Sequence, residues 1–88
     1  MSMATMRKVV VPHDAGLSAR PAAVLAATAS QFSAEITLRY GASAADAKSI
    51  LSLMALMPPP GAVVTIIAEG TDAREAVSTI ERLFQVGG

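Results

Sequence analysis

The stretch AVVTIIAEGTDAREAVSTIERLF, residues 62–84, changes its period once, and that change decides the architecture. Residues 62–69 are dominated by valine, isoleucine and threonine, whose branched side chains suit a pleated surface, so AVVTIIAE is the strongest strand in the chain. After Gly70 the apolar residues recur three and four apart at Ala73, Ala76, Val77, Ile80, Leu83 and Phe84, one continuous helical stripe. Asp72 and Glu75 have capping-box spacing at the start of that helix, and Gly87 and Gly88 release the chain at its end. A stripe of this kind must lie on something apolar, and the strand before it is the nearest candidate.

Working outward, PPPG at 58–61 stops a helix that begins near Ser49, because proline cannot continue one. EITLRY at 35–40 alternates Ile36, Leu38 and Tyr40 against Glu35, Thr37 and Arg39, the period of a strand with one buried face. Gly41 marks a turn, and SAADA at 43–47 reads as a shorter, weaker strand. Ala22, Leu25, Ala26 and Ala29 place a helix from Ala19 to about Gln31, its alanines small enough to lie close to a sheet. MRKVVVP at 6–12 reads as a short, largely buried strand ended by Pro12 and the turn HDAG. The order β-α-β-β-α-β-α predicts an α+β two-layer domain, one sheet with helices over one face.

With 88 residues the chain is one domain, 1–88, able to fold without staples. It has no cysteine, which excludes a disulfide framework and a thiolate metal site. Seven basic and seven acidic residues cancel, so affinity for nucleic acid or an anionic membrane cannot come from overall charge. No apolar run is long enough to span a bilayer, and MSMATMRK has too little apolar length for a secretory signal, so a cytoplasmic location is expected. Internal repeats, linkers and low-complexity tracts are absent.

The chemistry concentrates in GLSARPAA, residues 16–23, a glycine-led turn running into an alanine-rich helix. Ser18 sits where an N-cap belongs, a role that contributes about 1 kcal/mol, and Pro21 falls in the first turn, where proline is accepted. A helix N-terminus exposes unpaired N–H groups and the positive end of the dipole. The amides of Ala19 and Arg20 are thus candidate phosphate donors, and the Arg20 guanidinium can grip the same anion bidentately. No general base or leaving-group partner accompanies them, so the motif suits seating a phosphate better than cleaving one. His13, the one histidine, precedes Ser18 in the same turn and is either a locally bonded turn residue or a weak second candidate for that seat.

Ser49 has two readings as well, a second N-cap or a modification site at which phosphate would complement the helix dipole. Leu51, Met54 and Met57 read either as a contact patch beside these serines or as core, since some of them together with Ile50, Leu53 and Leu56 must point inward.

Taken in order and spacing, GLSARPAA, EITLRYG, DAKSILSLMAL and GAVVTIIAEGTDAREAV resemble the HPr family, the histidine-containing phosphocarrier proteins of the phosphoenolpyruvate-dependent sugar phosphotransferase system. The resemblance covers nearly the whole chain and implies an open-faced sandwich, a four-stranded antiparallel sheet with helices on one side. In that family a histidine at the Ser18 position takes a phosphoryl group from Enzyme I and hands it to sugar-specific Enzyme II components. The arginine matching Arg20 stabilises the phosphate. The serine matching Ser49 is, in many Gram-positive members, the target of an ATP-dependent kinase, so an HPr kinase and a transcriptional regulator join the implied partners. The resemblance implies no cofactor, no metal, no direct nucleic-acid contact and no membrane insertion. PPPG replaces the family's glycine-containing turn.

The departure falls on the residue that carries the chemistry. An imidazole with a pKa of about 6.5 is a competent nucleophile at cell pH, and its phosphoramidate transfers onward. A serine hydroxyl needs a neighbouring base, and its phosphate ester is too stable to recharge a carrier. The expectation is therefore a phosphocarrier-family protein rather than a conventional enzyme, with transfer lost. It would be regulatory, similar to the catabolite-repression paralogue that also lacks the histidine. The alternative is a genuine phosphocarrier, with position 18 native or engineered.

Overall fold

The structure is a computed structural model that describes residues 4–12, 19–56 and 58–86, with the backbone alone at 19, 20 and 86. The elements follow the expected order: β1 (Ala4–Val10), α1 (Ala19–Ala29), β2 (Glu35–Tyr40), β3 (Ser43–Asp46), α2 (Ile50–Leu56), β4 (Val63–Glu69) and α3 (Ala73–Val86). The strands form one four-stranded sheet in the order β1-β4-β2-β3. Every pairing is antiparallel, with Val9 opposite Val64, Leu38 opposite Ile66 and Leu38 opposite Ala45. Among the described residues no helix is long and apolar enough to cross a membrane.

Alternation along the central strands selects the face on which the helices lie. Ile36 and Leu38 of β2 and Val64, Ile66 and Ala68 of β4 are buried together with Ala22, Leu25, Ala26 and Ala29 of α1 and Leu53 of α2. From α3 the core receives Ala73, Ala76, Val77, Ile80 and Phe84, with Leu83 partly buried beside it. Leu38, Leu53, Ile66 and Ile80 are among the largest fully buried side chains, each worth about 1.5–3 kcal/mol of apolar transfer. No buried polar side chain lies among the described residues, so this core is held by packing alone.

One expectation about β1 is corrected. Its valine-rich sequence suggests a largely buried strand, yet among residues 4–10 only Val9 is buried. β1 is an edge strand bonded only to β4, and its alternate residues lie on the sheet face opposite the helices, leaving Met6 60% and Val10 52% exposed. Just past the strand, Val11 is fully buried and fixed by the turn after α2: its N–H donates to the Ala62 carbonyl at 2.8 Å and its carbonyl accepts from Gly61 at 2.8 Å. Gly61 takes a φ of 88°, in the left-handed region, to make this return after the prolines.

The start of α3 also differs from expectation. The Asp72 carbonyl accepts the first helical bond, from the Ala76 N–H at 2.9 Å, as an N-cap should. Its carboxylate reaches across to the α1–β2 connection instead of capping α3: Oδ2 accepts from the Ser33 N–H at 2.8 Å and Oδ1 from the Ala34 N–H at 2.8 Å. The Ser33 hydroxyl adds a longer bond to Oδ2 at 3.3 Å. The Ser33 amide, with that of Ala34 and the hydroxyl, holds the Asp72 carboxyl below its ordinary value of 3.8 against a smaller desolvation effect.

Candidate functional site

α1 starts at Ala19, so the residues named as amide donors, Ala19 and Arg20, open the helix whose N-terminus would face an anion. Its first turn contains no acidic residue, leaving the positive end of its dipole unopposed by a helix-borne carboxylate. Ser18, His13, Met57 and the Arg20 side chain lie outside the described residues.

Ser49 is the N-cap of α2. Its Oγ accepts from the Ser52 N–H at 3.2 Å, and its carbonyl accepts from Leu53 at 3.0 Å. The turn before it is closed by local bonds, the Ser49 N–H to the Asp46 carbonyl at 3.0 Å and the Lys48 N–H to Asp46 Oδ1 at 3.0 Å. Lys48 Nζ then donates to the Phe32 carbonyl at 2.8 Å, tying this turn to the chain that leaves α1. Sequence reasoning missed that anchor, for a lysine beside a serine carries no sign of which distant carbonyl it will meet.

The apolar residues of α2 divide cleanly between core and surface. Leu53 is fully buried and Leu56 partly so, whereas Leu51 is 81%, Ile50 43% and Met54 37% exposed. Two members of the predicted contact patch, Leu51 and Met54, therefore face outward on the helix that Ser49 begins. α1 packs against both α2 and α3, which sets the helix opened by Ala19 and Arg20 beside the one opened by Ser49. On α1, Val24 is another half-exposed apolar residue that the sequence pattern did not single out. An open groove of about 500 Å³ beside Glu35, Thr37, Asp46 and Lys48 contains none of the predicted site residues.

Comparison with known proteins bears directly on this arrangement. The family model described as the PTS HPr component phosphorylation site matches residues 5–85. The chain is 40% identical over 80 residues to the phosphocarrier protein HPr of Treponema pallidum, covering 91% of each. It is 41% identical over 76 residues to DhaM of Providencia stuartii, the phosphoryl donor subunit of a PEP-dependent dihydroxyacetone kinase, where it spans only 16% of the relative's length. Among solved structures it is similar to HPr of Bacillus anthracis, with a TM-score of 0.89, 35% identity, and coverage of 94% of this chain and 99% of the other. Crh, the Bacillus subtilis catabolite repression protein solved as a swapped, intertwined dimer, is 38% identical with a TM-score of 0.76, over 82% of this chain and 83% of its own. With the family's sheet order, its helices on one face and a sequence match running from β1 into α3, the chain belongs to the HPr family of the phosphotransferase system.

Proposed function

We propose that this protein is a regulatory or non-transferring member of the HPr family that acts through protein partners. The observation that carries the reading is Ser18 in GLSARPAA, which the resemblance sets at the position of the family's phospho-accepting histidine. A serine at a helix N-terminus still leaves the Ala19 and Arg20 amides and the Arg20 guanidinium for an anion, but it supplies no imidazole to take and release a phosphoryl group. The similarity to Crh supports a regulatory role. Its docking surface is the outward side of α2, with Leu51 and Met54. Ser49 is the residue through which a kinase would modulate that surface for a transcriptional regulator. A phosphate on its Oγ would replace the hydroxyl that now caps α2 with a dianionic group at the same helix end.

The second reading, a genuine phosphocarrier between Enzyme I and Enzyme II components, draws on the similarity to HPr and to the phosphoryl donor subunit DhaM. In that reading Ser18, or His13 in its place, accepts the phosphate. The two are separated by incubating the protein with phosphoenolpyruvate, magnesium and Enzyme I, then measuring intact mass and mapping phosphopeptides. The expected result is no added phosphate on the native chain and one on Ser18→His, which restores the imidazole. Phosphate mapped to Ser18 or His13 of the native chain would establish the carrier reading instead.

A further inference from the structure

The sheet face opposite the helices carries an ordered charge pattern that neither reading uses. Strand register places Lys8 of β1 opposite Thr65 of β4, and Arg39 of β2 on the other side of Thr65, so these three form one row across the face with a cation at each end. Two residues further along each strand, Met6 and Thr37 flank Ile67 in a centre row that is apolar at Met6 and Ile67 and ends at Asp46 of β3. Beyond it, Glu69 and Glu35 lie opposite one another in an acidic row. Lys8, Arg39, Glu35 and Glu69 are all exposed. The side chains of Lys8, Arg39 and Glu35 make no hydrogen bond or ion pair among the described residues.

We propose that this open face is a self-association surface whose occupant is a second copy of the chain, packed face to face with its strands antiparallel to the first. The pattern is self-complementary under one operation, a two-fold axis lying in the interface along the row Met6–Ile67–Thr37. The flanking rows stand about 7 Å on either side of that axis, and the rotation exchanges them. Arg39 then lies over Glu35 of the second copy, and Lys8 lies beside its Glu69, while the apolar centre meets itself. Because the interface is isologous, each pairing occurs twice. Asp46 ends the centre row on the outer strand β3, away from Met6 and Ile67, and its carboxylate already accepts from the Lys48 amide. A nucleic acid or an anionic bilayer would meet the acidic row, and a polycation the basic one, so opposed rows of both signs favour a copy of the same face. The helical layer, with Leu51 and Met54, stays outward and free, so this inference does not depend on the functional reading.

Sedimentation equilibrium of the native chain from micromolar to millimolar concentration tests it, with far-UV circular dichroism checking that each variant folds. The native chain is expected to dimerise, and added salt to weaken the dimer. Arg39→Glu, which places like charges against each other twice, is expected to weaken it about tenfold or more, as is Glu35→Arg. The double variant R39E/E35R is expected to recover association. A chain that stays monomeric throughout, a dimer indifferent to Arg39→Glu (as exchange of β1 between copies would give), or a double variant that does not recover would each overturn the proposal.

Discussion

Gly70 lies over Ala34 so closely that a Cβ placed on it would come within 2.9 Å of the Ala34 Cα and 3.2 Å of its Cβ. Here the chain passes from β4 into α3 across the residue that leads into β2, and both contacts are with atoms that cannot rotate away. Gly70 also has a φ of 141°, which side-chain-bearing residues rarely adopt. Gly70→Ala is expected to lose about 1–3 kcal/mol from backbone strain before the steric contact is counted. The urea midpoint would fall accordingly, and an unchanged midpoint would show that the turn relaxes freely.

Asp72 closes the same joint electrostatically. Its amide bonds lower its carboxyl pKa below the ordinary 3.8, so on acidification the unfolded chain takes up this proton before the folded one does. The stabilising contribution is complete above that ordinary value and is lost as pH falls through the lower, folded one. Asp72→Asn keeps a single acceptor oxygen for two amides. The variant is expected to be less stable at neutral pH and to lose less further stability in acid than the native chain, a difference read from urea midpoints across an acid-to-neutral pH series.

Replacing Ser49 separates capping from signalling. Ser49→Ala removes the Oγ that accepts from Ser52 and is expected to cost about 1 kcal/mol. Ser49→Asp retains a capping oxygen and is expected to leave the unfolding free energy within a few tenths of a kcal/mol of native, while adding negative charge beside the Leu51 surface. Thermal and urea denaturation of the pair check this.

Two leucines on α2 supply a matched contrast. Leu53 is fully buried and Leu51 is 81% exposed. Leu53→Ala is expected to lose about 2–5 kcal/mol, whereas Leu51→Ala should stay within about 0.5 kcal/mol of native and act only on partner binding. A large loss of stability on Leu51→Ala would remove it from the docking surface and return it to the core.

Much of this fold was legible because periodicity and burial agree. The α3 stripe, the alternation of EITLRY and the alanines of α1 each have one solution that removes apolar area from water, and the structure adopts it. β1 was misread in its burial because a run of valines looks the same whether a strand is central or at an edge, and edge position follows from the sheet order, which no local pattern encodes. Asp72 at helix-cap spacing was recognised as a start signal, but the target of its carboxylate, 38 and 39 positions away in sequence, depends on how the two connections meet. For the site, Ser49 as a cap and the outward side of α2 were readable in kind, while the division of Leu51 from Leu53 required the helix to be placed on the sheet.

The triple proline after α2 also acts on the unfolded chain. Pro58, Pro59 and Pro60 fix three successive φ angles whether or not the protein is folded, so this segment has less conformational freedom to lose on ordering than an equivalent glycine-rich turn. Part of the stability of the Val11–Gly61–Ala62 clasp therefore arises in the ensemble it excludes, where no contact in the native state records it.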